Sequence, residues 1–269
     1  MTGHFEKQHV LVTGASSGIG RALAERVAAE GGNLVLVARR APVLRAQGEE
    51  LEARYGVRVD VVPADLSLPG AAAGIVQELS ARGITVDALV NNAGLGVHGD
   101  LAGARLADVS AQVAVNITAL TELTALLLPP MVARGRGAIV NMASTAAFQP
   151  VPHMAVYAAT KAYVLSFSRA LWSETRGTGV RVLAVSPGAT DTAFFDVAGD
   201  DASVGRRRTP EQVVDVAMSA LRADRREVVD GAANALLARA ASRLPTRWAI
   251  ALAERSVRPQ PSTTATVTN

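Results

Sequence analysis

Short apolar runs recur along this chain, and longer segments with helical periodicity separate them. Runs of that length read as strands buried on both faces, and strands joined through helices build a parallel sheet by right-handed crossovers. Residues 9–12, 33–38, 57–62, 86–90, 138–142, 180–186 and 227–230 are the predicted strands. Residues 18–30, 42–55, 67–82, 106–134, 154–176, 210–222 and 232–257 are the predicted helices. Pro129 and Pro130 should bend or end the fourth helix, and Pro245 should break the last one. Thr209 and Pro210 suit the N-cap and first position of their helix. The expected fold class is α/β: a doubly wound parallel sheet of about seven strands with helices on both faces. No linker or repeat divides the pattern, so residues 1–258 read as one domain with a helical extension at 232–258, and the polar residues 259–269 read as a disordered tail.

Composition narrows the function. An apolar fraction of 49% against 19% charged residues favours a packed core. With no cysteine, disulfides, thiolate zinc sites and thiol catalysis are excluded. His4, His9, His98 and His153 have no ligand spacing, so no metal is expected. The polar start of the chain and the lack of 18 uninterrupted apolar residues predict neither a signal peptide nor a membrane span, hence a cytoplasmic protein. The net charge of +3 is uneven. Residues 1–204 hold 16 basic and 18 acidic groups, and residues 205–269 hold 11 and 6. That excess is too diffuse to indicate nucleic acid, and an arginine-rich helix face is the simpler reading. Leu236, Leu237, Leu244, Trp248, Ile250 and Leu252 interleave with Arg239, Arg243, Arg247 and Arg255. This amphipathic segment either packs on the domain or a partner subunit, the favoured reading, or makes peripheral contact with a membrane.

Where the first strand becomes the first helix stands Thr13-Gly14-Ala15-Ser16-Ser17-Gly18-Ile19-Gly20. Glycine lets backbone N–H groups approach a phosphate, and the helix N-terminus adds free donors and partial positive charge. A pyrophosphate, hence a nucleotide, is the expected guest, although a tight turn alone would also use these glycines. The second strand ends in Ala38 followed by Arg39 and Arg40. A carboxylate there would bond a ribose 2′-hydroxyl, whereas guanidinium groups suit a 2′-phosphate. NADP(H) is therefore expected over NAD(H), unless the two arginines are merely solvated. Asp65 after the third strand is a partner for the adenine amino group or a turn-capping acid.

Tyr157 and Lys161 lie four residues apart on one helix, and Ser144 precedes Tyr157 by 13 after the fifth strand. With three Tyr in the chain and Lys161 one of only two lysines, this spacing arises by chance about 1 time in 1,000. Together with Asn91-Asn92-Ala93-Gly94, Asn116, and Pro187-Gly188 followed by Thr192, these residues make the chain resemble the short-chain dehydrogenase/reductase family over about residues 8–231.

The resemblance implies a Rossmann-type fold, a nicotinamide cofactor and hydride transfer at a carbonyl or secondary alcohol carbon. Tyr157 would be the general acid or base, with Lys161 and the positive charge of the oxidised nicotinamide lowering its pKa, and Lys161 also holding the nicotinamide ribose. Ser144 would hold the substrate oxygen, and Asn116 would hold a water leading from Lys161 to solvent. The resemblance puts the cofactor on Gly14, Ser16, Ser17, Gly18, Ile19 and Gly20, on Arg39 and Arg40, on Asp65 and Leu66, on Asn92, Ala93 and Gly94, on Tyr157 and Lys161, and on Pro187, Gly188, Thr190 and Thr192. Asn91 and Gly94 would line the adenine ribose side. The long helices 106–134 and 154–176 resemble those of family dimers, implying a homodimer or homotetramer.

Substrate walls are expected from residues 95–99, 145–152 and a long loop at 188–208, where Phe194 and Phe195 suggest an apolar lid and a hydrophobic carbonyl substrate. His98 either faces the substrate or, the favoured reading, is a surface loop histidine. The alternatives to a reductase are an epimerase or dehydratase on the same fold, and a regulatory protein that senses NADP(H) without turnover.

Overall fold

A computed structural model describes residues 5–192 and 207–257. Seven parallel strands form one sheet in the order β3-β2-β1-β4-β5-β6-β7. They are β1 (His9–Thr13), β2 (Asn33–Ala38), β3 (Val59–Pro63), β4 (Ala88–Asn91), β5 (Gly137–Met142), β6 (Val180–Ser186) and β7 (Glu227–Val229). The chain runs outward from β1 to β3 and then returns to the other side of β1 for β4. This reversal opens a crevice between the carboxyl ends of β1 and β4, where open sheets bind ligands.

Alternation along each strand sends side chains to two cores. Val10 and Val12 of β1 and Leu34 and Leu36 of β2 pack under α1 (Gly18–Ala29), α2 (Ala41–Tyr55) and α7 (Pro210–Arg222). Leu11, Val35, Leu89 and Ile139 pack on the opposite face against α3 (Ala71–Ala81) and α5 (Leu120–Ala133), with α6 (Ala155–Glu174) joining them through Leu171. Both faces of the central strands are therefore dry, which is why they read as unbroken apolar runs.

Several boundaries differ from expectation for local reasons. The third helix begins at Ala71 rather than at residue 67, because Ser67 turns back onto Asp65 and Gly70 enters the helix at a φ of 78°. Pro129 and Pro130 sit inside α5 without ending it. The irregularity comes earlier. Between α4 (Leu106–Val113) and α5, residues Ala114–Ala119 form a wider π-helical turn, a feature frequent at functional sites. The run Leu106–Ala133 has the length and composition of a membrane span, contrary to the expectation, but Leu120, Leu123, Leu127 and Met131 bury one side of it against the sheet. Thr209 caps α7 as expected, and Gln212 completes a reciprocal capping box. The last helical segment divides at Pro245 into α8 (Ala232–Ala241) and α9 (Thr246–Val257). Phe194, Phe195 and the tail beyond residue 257 lie outside the described residues.

Candidate active site

The crevice at the carboxyl ends of the strands is a cavity of about 800 Å³. Its floor begins at the β1–α1 turn. Gly14 takes a φ of 64°, in the left-handed region, and a methyl there would stand 2.9 Å from the Ala93 Cα. Gly20 packs so closely that a methyl would overlap the Gly14 carbonyl oxygen. These two positions bring α1 and the β4 end within reach of one another. Ser16, Ser17 and Ile19 line the cavity, whereas Gly18 and Gly20 lie behind its wall, Gly18 against the Thr192 methyl. Ser17 is the N-cap of α1, and its side chain bonds none of the helix's free N–H groups. Those donors are thus available to a ligand.

Beyond the end of β2, Arg39 and Arg40 are exposed and line one end of the cavity. The Arg40 Nη2 donates to Ser16 Oγ at 3.2 Å. Asp65 and Leu66 line the same end, and Asp65 Oδ1 accepts from Ser67 N at 2.9 Å and from Ser67 Oγ at 2.7 Å. These bonds, with Arg39 nearby, hold the Asp65 carboxyl below its usual range. Turn capping therefore occupies one Asp65 oxygen.

Asn92, Ala93 and Gly94 form the wall after β4. Thr13 Oγ1 fixes this segment by accepting from both Asn92 N and Ala93 N at 3.0 Å, and Asn92 Nδ2 donates to Thr13 O at 2.9 Å. Asn91 does not share the wall, which corrects the expectation for it. Its amide donates to Thr124 Oγ1 and Asn141 Oδ1, and Asn141 in turn donates to Ser168 Oγ. Strand alternation aims Asn91 at this buried polar chain and Asn92 at β1.

Ser144 and Tyr157 meet across the cavity through a hydrogen bond between their hydroxyls. Ser144 caps the short helical turn that follows β5, and its Oγ accepts from Ala146 N at 3.1 Å. Burial pushes the Tyr157 hydroxyl above its usual pKa, and the Ser144 bond opposes that push. The buried phenolate loses more hydration than the Ser144 bond restores. One turn further along α6, Lys161 Nζ donates to Met142 O at 2.8 Å and lies 5.8 Å from the Tyr157 ring centre. Lys161 is 5% exposed, and burial lowers its pKa to about 8.

The π-helical turn carries Asn116 behind Gly94. Asn116 accepts from Leu95 N at 2.8 Å and donates to Leu95 O and Thr160 Oγ1, each at 2.9 Å. A methyl on Gly94 would stand 3.3 Å from Lys161 Nζ and 3.5 Å from Asn116 Oδ1, so both side chains converge on one glycine. Pro187, Gly188, Thr190 and Thr192 line the far wall after β6. Thr145 N bonds Pro187 O, and Arg208 secures the segment through Arg208 N to Ala189 O and Asp191 N to Arg208 O. The Arg208 Nε also pairs with Oδ2 of the fully buried Asp230 at 2.7 Å. Desolvation raises the Asp230 pKa against the pull of Arg208.

The open end of the cavity is lined by Leu95, Gly96, Thr145, Ala146, Gln149 and Val151, in keeping with the expected walls. Sequence reasoning missed five contributions from α8 and α9: Asn234, Leu237, Ala238, Ala253 and Val257. Asn234 packs directly over Gly188 and donates to Asp230 O at 2.8 Å. Nothing in its local sequence marks it. Val257 packs with Val151, Met154 and Tyr157. His98 is not on the cavity wall; its Nε2 meets Val257 O at 2.6 Å, fastening the end of α9.

A family model described as short chain dehydrogenase matches residues 8–202. The chain belongs to this family. Sulfoacetaldehyde reductase 2 of Chromohalobacter salexigens is 41% identical over 215 residues, covering 77% of this chain and 84% of that protein. Among solved structures, a 7beta-hydroxysteroid dehydrogenase superposes with a TM-score of 0.83 at 27% identity, covering 93% of this chain and 97% of the other. A short-chain dehydrogenase from Sphingobium yanoikuyae in complex with NADPH has a TM-score of 0.79 at 33% identity, covering 96% and 99%. A member from Burkholderia phymatum in complex with NAD has a TM-score of 0.79 at 25% identity, covering 87% and 92%. This short-chain dehydrogenase is therefore an oxidoreductase of Rossmann-like fold.

Proposed function

We propose that this short-chain dehydrogenase is an NADP(H)-dependent reductase of apolar carbonyl compounds, or an alcohol dehydrogenase in the reverse direction, working in the cytoplasm. The observation that carries the reading is the hydrogen-bonded Ser144–Tyr157 pair with Lys161 one turn away. The β1–α1 cradle suits a pyrophosphate, with a glycine where any side chain would collide and free helix N–H groups beside it. Arg39 and Arg40 would hold a 2′-phosphate next to Ser16. When bound, the nicotinamide supplies or accepts the hydride.

The chain's own residues handle the proton. Ser144 would donate to the substrate carbonyl oxygen and stabilise charge as it develops there. Tyr157, its pKa raised by burial, keeps its proton at neutral pH and would deliver it to the same oxygen. The resulting phenolate is stabilised by the Lys161 ammonium, which also would hold the nicotinamide ribose. Asn116, whose oxygen approaches the Gly94–Lys161 contact, would hold a water leading from solvent to Lys161, so that Lys161 can pass a proton to the Tyr157 phenolate and regain one from that water.

The substrate end decides the class. Among its described residues, Leu95, Gly96, Ala146, Val151, Met154 and Val257 are uncharged, and Lys161 is engaged with Met142 O. A sulfonate such as that of sulfoacetaldehyde would find no cation among these described residues, only the neutral donors Thr145 and Gln149, whereas a bulky apolar ketone would be desolvated well. Turnover should be followed by NADPH absorbance with bulky apolar ketones and with sulfoacetaldehyde. The expected result is preference for the ketones and a fall of roughly 100-fold or more in kcat for Ser144→Ala. Preference for sulfoacetaldehyde, or an unchanged kcat, contradicts the reading.

The same reading includes a homodimer or homotetramer assembled through α5 and α6. Its support is the exposure of Leu126, Val132 and Tyr163 on those helices. Light scattering of the wild type and of Leu126→Arg tests it: a shift to monomer is expected, and a wild-type monomer refutes it.

A further inference from the structure

We propose that the outer face of α9, with the adjoining end of α8, docks this enzyme on an anionic lipid surface. The helix is turned inside out relative to an ordinary surface helix. Its small residues Ala249, Ala253 and Val257 face the protein and are nearly fully buried. Its largest apolar side chains face away from the protein: Trp248 is 59% and Leu252 50% exposed. Leu244 in the turn and Leu236 and Leu237 on α8 extend the apolar exposure, and Leu237 also reaches the rim of the cavity. This clustering of large apolar groups on so short a segment exceeds the scattered exposure normal for a protein surface.

Charge identifies the occupant. Residues 232–257 carry Arg239, Arg243, Arg247 and Arg255 against the single acid Glu254. At 100° per residue, Arg247 and Arg255 fall beside Trp248 and Leu252 on the outer half of α9, opposite Ala249 and Ala253. The Arg247 guanidinium stands over the Trp248 ring at 5.6 Å. A second copy of the same face, brought up by a two-fold axis, would set arginine against arginine. A headgroup layer of negative charge over hydrocarbon matches both halves of the pattern: tryptophan and leucine enter the acyl boundary while arginines meet phosphate.

The experiment is sedimentation of the purified enzyme with vesicles of phosphatidylglycerol and with vesicles of phosphatidylcholine, at two salt concentrations. Binding to the anionic vesicles, weakened by salt, is expected, with little binding to the neutral ones. Each arginine is expected to contribute about fivefold to affinity, so the double variant Arg243→Glu/Arg247→Glu should lose at least ~25-fold. Trp248→Ser/Leu252→Ser should abolish binding, with NADPH turnover in solution unchanged to show that the variants fold. No binding to either vesicle overturns the proposal. So does binding to neutral vesicles alone, or indifference to the arginine reversals. A wild-type assembly that Trp248→Ser/Leu252→Ser dissociates, without vesicle binding, would show instead that a second copy covers the face.

Discussion

Lys161 offers a quantitative check on how the site is built. Its pKa falls from 10.5 to about 8 because the ammonium is buried under the cofactor cavity. Such a drop corresponds to about 3 kcal/mol of folding free energy lost to holding the charge at neutral pH. The pH dependence follows in sign. Below about 8 both folded and unfolded chains hold the proton, and the full penalty applies. Between about 8 and 10.5 the unfolded chain still holds the proton while the folded chain has released it, so stability rises with pH. Lys161→Met removes the titration altogether. Its loss of the hydrogen bond to Met142 O is an offset independent of pH. Urea unfolding of both proteins at pH 7 and pH 10, at one protein concentration, isolates the effect, since every other titrating group is shared. The wild type should gain roughly 2 to 3 kcal/mol relative to Lys161→Met over that interval. Parallel stability curves, or a wild type that loses ground as pH rises, would refute the burial argument.

Gly20→Ala should fold poorly or bind NADPH at least ~10-fold more weakly, because its methyl overlaps the Gly14 carbonyl at the base of the turn; fluorescence titration of NADPH measures this. Arg39→Asp should move preference toward NADH by replacing a guanidinium with a carboxylate at the β2 end, and Arg40→Ala should weaken NADPH about tenfold while leaving NADH nearly unaffected. The ratio of kcat/KM values for the two cofactors checks both. Asp230→Asn should lower stability, read by thermal unfolding, by about 2 kcal/mol, since it leaves Arg208 without its buried counter-charge beneath the 187–192 segment.

Much of the architecture was legible because parallel sheets hide both strand faces. Residues 33–38 and 180–186 are strands end to end, as their unbroken apolar runs indicate. What the sequence hid was geometry set by tertiary contact. The irregularity expected at Pro129 and Pro130 lies instead in the π-helical turn Ala114–Ala119, where Asn116 is held by both backbone groups of Leu95. Neighbours in sequence gave no way to separate Asn91 from Asn92; only strand pleating assigns one to the core and the other to the β1 turn. Spacing brought Tyr157 and Lys161 together because a helix fixes it. The meeting of Ser144 with Tyr157 depends on how β5 and α6 pack. The cavity wall from α8 and α9 had no motif, since alanines and a valine serve equally well as plain core. Their small size is what lets the helices approach the site.

The account rests on Tyr157 delivering its proton to an oxygen that Ser144 also grips. The most direct measurement is the NADPH dissociation constant and the single-turnover rate of Tyr157→Phe with a ketone that the wild type reduces. The dissociation constant should stay within a few-fold of wild type while the rate falls by roughly 100- to 10,000-fold. A variant that reduces the ketone at the wild-type rate would contradict the account, however well the fold itself is described.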